Sequence, residues 1–356
     1  MNNKLKNGIA LSLPLQIIIV KLLATKPEWI ETYYSNGIYP VISKFFRLLL
    51  GWIPFSIGDI IYGLLVFFAL RYIILNRRKI KAKPLAFLRN IVVVLSIAYF
   101  TFHLVWGMNY YRQPIHKTLK ISEAHTDEAL KNLIEKLIVK ANAIHIEITN
   151  DSTKAVQIPY TKNEIFDRTI DGYNQLEKKY SFLEYKNPSL KKSLFSLPLT
   201  YSGYAGYLNP FTNEAQVNSK IPLFRFPVVA GHEVGHQIGY SAENETNFIG
   251  YLVTANNDDI YFKYAAYSYA LSYCLSDVRY YDEEVFRSYY DKLNVGVKKN
   301  YQELADFWND YENPLEPVFK SIFSSFLKIN NQADGIKSYS RVVSLLVTYH
   351  QEHPLE

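Results

Sequence analysis

Three long apolar stretches in the first third of the chain decide what it can fold into. The first runs over 8–24, the second over about 52–75 and includes IIYGLLVFFAL, and the third over about 91–107 and includes IVVVLSIAYFTFHLVW. Each approaches the ~20 residues a helix needs to cross the hydrocarbon of a bilayer. The spacing predicts three transmembrane helices within an anchor over 1–111. The first stretch has the basic start of a signal peptide (Lys4, Lys6). No clear small-residue cleavage site follows it, so a retained span is expected.

Charge orients these spans. Between the second and third lie Arg71, Arg77, Arg78, Lys79, Lys81, Lys83 and Arg89 with no acidic residue among them. Such a run marks the cytoplasmic side. The N-terminus is also basic, and the segment between the first two spans is mixed (Lys26, Glu28, Glu31, Lys44, Arg47). The expectation is a protein of the cytoplasmic membrane whose residues after about 108 lie on the extracytoplasmic side. The net charge of +6 is concentrated in this loop, so no nucleic-acid surface is expected. Asp59, at the outer end of the second span, is expected at the membrane interface. The one cysteine, Cys274, excludes an internal disulfide and reads as a small buried apolar residue.

The remaining chain, 112–356, carries the chemistry. Residues 232–236 read HEVGH. Histidines four apart share one helix face, so both imidazoles reach one Zn²⁺. The glutamate after the first histidine is offset by one position, which suits a general base acting on the water a zinc ion activates. A helix beginning near Pro227 follows a strongly apolar approach, IPLFRFPVVAG, which carries the motif inside the protein. Buried histidines beside a buried glutamate are costly without a metal or a dense hydrogen-bond network.

A catalytic zinc needs a third protein ligand and an open position. Gly239 is a natural helix stop, and Ser241 a natural N-cap for a second helix. Two carboxylates of that helix compete. Glu245 shares a face with Phe248, Ile249 and Leu252, which must look inward. Glu243 shares its face with Thr246, Asn247 and Gly250. The amphipathic pattern therefore makes Glu245 the ligand and Glu243 a helix-start charge, with Asn247 as a partner orienting a ligand histidine. The competing reading pairs Glu245 with Arg225 or Lys220. Helices are further expected over 122–148 and 163–180 and from 255 to about 350. Glycine-rich, aromatic residues 201–210 read as turn and strand, and 214–218 as an edge strand able to pair with an extended substrate.

The segment HEVGHQIGYSAENETNFIGYL resembles the active-site region of a bacterial family of uncharacterised integral membrane proteins, a domain of unknown function related to gluzincin-type zinc metallopeptidases. The resemblance extends to YYSNGIYPVISKFFR at 33–47, WIPFSIGD at 52–59, WGMNYYRQP at 106–114, GYLNPFTNEAQVN at 206–218 and DGIKSYSRVVSLL at 334–346. It implies a mainly α fold, in which three transmembrane helices precede a zincin-like, mostly helical domain with a small β element. It also implies His232 and His236 as ligands, Glu233 as base and Glu245 as third ligand.

The expected function is a membrane-anchored zinc peptidase acting on a peptide or protein of the cell envelope. Tyr339 is the candidate phenol for the oxyanion, with Tyr240 and Tyr204 as rivals. Two other functions compete: a catalytically silent zinc-binding sensor or assembly protein, and an amidase of cell-wall peptides.

Overall fold

The computed structural model describes residues 1–332, 335 and 341–355. Helix takes 72% of the chain and strand 3%, so the mainly α expectation holds. Among the described residues, three helices are long and apolar enough to cross a membrane: α1 (Asn3–Ala24), α4 (Ile57–Ala82) and α5 (Pro84–Val105). The second begins later than its apolar stretch because Ser56 caps it, accepting from the Asp59 N–H at 2.9 Å. It ends later because the basic run is itself helical, and Lys83 alone separates α4 from α5. The basic N-terminus lies at the same end of the bundle: Lys6 donates to Asn90 at 3.1 Å and Arg89 to Asn7 at 3.1 Å.

Between α1 and α4 the chain forms α2 (Pro27–Trp29), a π-helical stretch (Ile30–Ile38) and α3 (Tyr39–Leu50). Helix α3 is amphipathic in the inverted sense. Ser43 and Arg47 are buried, while Val41, Phe45, Leu48 and Leu49 are exposed.

Asp59 departs from expectation: it is 1% exposed, inside the protein. It accepts from Ser193 Oγ at 2.9 Å, from the Leu194 N–H at 2.7 Å and from the Tyr207 hydroxyl. Glu214 completes the joint by accepting from the N–H groups of Ile57 and Gly58 at 3.1 and 2.6 Å. A helix N-terminus carries unpaired donors and partial positive charge, so two carboxylates fix α4 to the domain there.

After α5 come a 3₁₀ turn (Gly107–Tyr111), α6 (Ile115–Leu119), α7 (Asp127–Thr149) and α8 (Lys162–Leu176), the last opened by a Thr161–Glu164 capping box. The β element holds β1 (Leu190–Lys192), β2 (Gly206–Asn209) and β3 (Glu214–Val217), with α9 (Ser196–Tyr201) between the first two. Strand order is β1-β3-β2, β1 parallel and β2 antiparallel to β3. The strand at 214–217 is thus central and wholly buried, not an edge. Its alternation misleads because both faces are buried: Glu214 holds the α4 terminus and Gln216 donates to Ser56.

The core gathers α10 (Phe226–Gln237), α11 (Glu243–Ala255) and α12 (Ile260–Tyr281) with α7 and α16 (Val342–Glu352). Helices α13 (Glu283–Tyr290), α14 (Val295–Asn309) and α15 (Glu316–Ile329) lie between α12 and α16 in sequence. Cys274 is buried in this core, as expected.

Candidate metal centre

Helix α10 is buried on all sides, and Pro227 stands in its first turn as the sequence indicates. Its last carbonyls are taken up by the N-terminal third of the chain. Trp106 Nε1 donates to His236 O at 3.1 Å, Tyr39 to Gln237 O at 2.7 Å and Arg112 to Gly239 O at 2.9 Å. The segment nearest the membrane thereby caps the helix that carries the motif.

His232, Glu233 and His236 bring their donor atoms within 4.8 Å of one another. A fourth residue, Glu243, lies against both imidazoles. Glu243 Oε2 is 3.4 Å from His232 Nε2 and 3.6 Å from His236 Nε2. The structure therefore brings Glu243, and not Glu245, to the histidines. Glu245 is also buried, as expected, but elsewhere: its Oε1 accepts from the Ile115 N–H at 2.7 Å. Burial pushes its pKa up to about 7 against the pull of that N–H and of Arg112. Arg225 does not pair with it and instead lies over the Tyr269 ring, 4.0 Å from the centroid.

The amphipathic reading of this helix failed for a physical reason. Every residue of α11 from Glu245 to Ala255 is buried, so it has no solvent face. Its polar, small-residue stripe of Glu243, Thr246, Asn247 and Gly250 is the face packed on α10. A Cβ on Gly250 would lie 2.6 Å from Val228 O and 3.0 Å from His232 N, so only glycine allows this approach. That contact brings Glu243 and Asn247 to the imidazoles. The expected Ser241 cap is absent: the N-cap is Ala242 with no side-chain bond, and Ser241 Oγ donates to Asn109 O at 2.9 Å.

Both histidines are oriented for a cation. His236 Nδ1 lies 2.8 Å from Tyr240 O, a carbonyl that can only accept, so its Nε2 carries the lone pair in the neutral ring. His232 Nδ1 is 2.8 Å from Asn247 Oδ1, the orienting role expected of Asn247. Burial lowers the pKa of His232, while Glu243 overcomes burial to raise that of His236. The Glu243 carboxyl is in turn held well below its usual range: the two imidazoles outweigh its burial. Its Oε2 faces both imidazole Nε2 atoms. With both rings neutral, two Nε2 lone pairs and the Glu243 carboxylate converge on one point, a donor set that fits Zn²⁺ once His236 gives up the proton its raised pKa holds.

Glu233 Oε2 is buried and without a hydrogen-bond partner. Burial, with the charge of Glu243, pushes its pKa up to about 8. A Cβ on Gly206 would sit 2.4 Å from Glu233 Oε1, so this glycine in β2 makes room for the carboxylate. Strand β2, not β3, is the edge beside the motif, and among the described residues it pairs only with β3. Tyr339 lies outside the described residues. Of its rivals, Tyr240 faces Arg112, whose guanidinium is 4.0 Å from its ring centroid, and Tyr204 donates to Phe319 O at 3.3 Å. Sequence reasoning missed Tyr269, whose buried hydroxyl feels the charge of Glu243. With 30 tyrosines in the chain, no spacing signal singles it out.

No curated protein and no solved structure matches this chain. A family profile described as "Protein of unknown function (DUF3810)" matches residues 34–347, from the π-helical stretch to the last helix. The chain belongs to the DUF3810 family.

Proposed function

We propose that this protein is a membrane-anchored zinc hydrolase acting on polypeptides, with His232, His236 and Glu243 as metal ligands and Glu233 as general base. The observation that carries the reading is the convergence of two Nε2 atoms on Glu243 Oε2 at 3.4 and 3.6 Å, with Glu233 buried beside them. Bound zinc supplies Lewis acidity: it polarises a carbonyl and brings a water's pKa towards ~7.

The protein's groups supply the rest. Glu233 Oε2 takes a proton from the attacking water and later delivers it to the leaving amine. Its pKa of about 8 comes from burial and from Glu243. A neighbouring cation draws that value down towards neutral pH, where a base that takes and returns a proton works best. Asn247 and the Tyr240 carbonyl hold the rings in position. Tyr269, a buried phenol that feels the charge of Glu243, is the candidate oxyanion donor. The open edge of β2 offers backbone groups to an extended chain beside Glu233.

The basic turn at Lys83 and the basic N-terminus lie at the end of the spans opposite the domain. Under the positive-inside rule the site then faces away from the cytoplasm. A zincin-like domain is part of this proposal.

Glu233→Gln tests the chemistry. Zinc content should stay at the wild-type level while hydrolysis is lost, and Glu233-dependent products should vanish when envelopes of the two strains are compared by proteomics. Unchanged turnover in the variant sinks the mechanism. A second reading, a silent binding site, is favoured by enclosure: the His232 and Glu243 side chains are only 12% and 5% exposed. Absence of any Glu233-dependent product would support it.

A further inference from the structure

Among the described residues, helix α15 carries an exposed apolar face. Leu315, Val318, Phe319, Ile322, Phe326 and Ile329 are exposed, Ile322 at 63% and Ile329 at 67%. Their spacing of three, four, seven, eleven and fourteen from Leu315 makes one stripe along the helix. Soluble proteins do not leave such a stripe to water.

The location of α15 says what covers it. At its C-terminal end, Lys21 in the last turn of α1 donates to Ile329 O at 3.3 Å. The Phe326 ring packs on Phe102, near the domain end of α5, at 6.1 Å. The stripe is therefore continuous with the domain-side ends of two membrane-crossing helices. Helix α3 repeats the pattern between α1 and α4: its exposed Val41, Phe45, Leu48 and Leu49 lead to Trp52, which is 79% exposed.

The other face of α15 looks at the candidate centre. Phe323 packs on the Tyr204 ring at 5.2 Å, and Tyr204 Oη donates to Phe319 O at 3.3 Å. Phe326, at the border of the two faces, packs on Tyr110 at 5.9 Å. Both tyrosines feel the charge of Glu243. Just past the helix, Gln332 Oε1 accepts from the Glu243 N–H at 3.4 Å, and Gln332 Nε2 donates to Ser241 O at 3.0 Å. Two phenols that feel the Glu243 charge pack against α15, and one amide just past it bonds the Glu243 backbone.

We propose that α15 is an interfacial helix, seated with α3 in the headgroup region of the bilayer, that roofs the centre on its membrane side and brings to it polypeptides anchored in that same bilayer. The substrate half of this inference rests on the peptidase reading above; the seating half does not. Helices of this type bury the apolar face about 5–10 Å into the headgroup–acyl boundary.

Depth-dependent quenching tests the seating. The full chain, with a fluorophore on Ile322→Cys or Phe45→Cys, is reconstituted in vesicles of phosphatidylethanolamine and phosphatidylglycerol; the native Cys274 is buried and does not compete for label. Spin-labelled lipid should quench both probes as it quenches a probe on Leu65→Cys in α4, and aqueous iodide should not. Val139→Cys, exposed on α7, should show the reverse. Quenching of the Ile322 probe by iodide alone overturns the seating, and so does shielding from both quenchers, which marks a protein partner.

For the substrate half, a mixed-sequence peptide library is offered free and with an N-terminal acyl chain in the same vesicles. At millimolar lipid an acyl chain makes bound peptide exceed free peptide by about 10 to 1, which confines most of it to the membrane, and cleavage should rise at least 10-fold. Equal cleavage overturns entry from the membrane. Cleavage of neither overturns the peptidase reading and the substrate half together, with the quenching result still deciding the seating.

Discussion

Replacing Gly250 by alanine should weaken zinc binding without touching any ligand. The added Cβ would stand 2.6 Å from Val228 O, 3.0 Å from His232 N and 3.3 Å from His232 Cα. All three are backbone atoms of α10, so no side chain can swing aside. A carbon–oxygen contact relaxes only at about 3.3 Å, so α10 and α11 must part by roughly 0.7 Å. Overpacking of this kind costs about 1–3 kcal/mol, of which alanine's better helix propensity returns about 1 kcal/mol. The larger effect falls on the site, because α11 carries both Glu243 and Asn247 to the histidines. Loss of an orienting partner alone costs about 10–100-fold in metal affinity, and the variant should lose at least that much. The assay is a competitive zinc titration of the full chain in detergent, with thermal unfolding alongside. Gly8→Ala is the control, since a Cβ there meets nothing within 4 Å. Wild-type zinc affinity in Gly250→Ala would refute the claim that the glycine contact sets the ligand geometry.

Three further outcomes follow from the same contacts. Asn247→Leu should lower zinc affinity about 10–100-fold while hydrolysis at saturating zinc persists, because only the bond to His232 Nδ1 is lost. Arg112→Leu should destabilise the fold by about 3–5 kcal/mol in denaturant titration. It strips Glu31 of a two-pronged ion pair at 2.6 and 2.9 Å and leaves buried Glu245 without its cation. Stability should also fall with acid through His350. Burial holds its pKa down at about 4 against an ordinary 6.5, and its neutral ring donates to His353 O at 2.7 Å and meets Tyr251 Oη at 2.6 Å. Between those values the unfolded chain binds a proton that the folded chain refuses. This contribution, on the order of 3 kcal/mol, is complete above the unfolded value and is lost as pH falls towards the folded one. His350→Gln should flatten that part of the stability–pH curve.

Much of this was legible in the sequence where one physical pattern dominated. The apolar stretches gave α1, α4 and α5, Pro227 marked the start of α10, and the four-residue spacing of His232 and His236 put both imidazoles on one face. What failed was every argument that assumed one wet face and one dry one. Glu243 was set aside because its stripe looked polar, yet α11 is buried all round and that stripe is its contact with α10. The 214–217 strand alternated like an edge, but its polar side chains hold the start of α4. Asp59 looked interfacial because its partners, Ser193, Leu194 and Tyr207, lie far along the chain. Long-range polar pairing leaves no periodic trace. The one signal that pointed to Glu243 was its spacing of four and seven from Asn247 and Gly250, a small-residue stripe where two helices meet closely.

The central claim is that Glu243, with the two histidines, holds the metal and that Glu245 does not. The direct measurement is the zinc content of the purified full chain, by elemental mass spectrometry, for wild type, Glu243→Gln and Glu245→Gln. The expected result is about one zinc per chain in the wild type and in Glu245→Gln, and a large loss in Glu243→Gln. Zinc retained in Glu243→Gln and lost in Glu245→Gln would contradict the account.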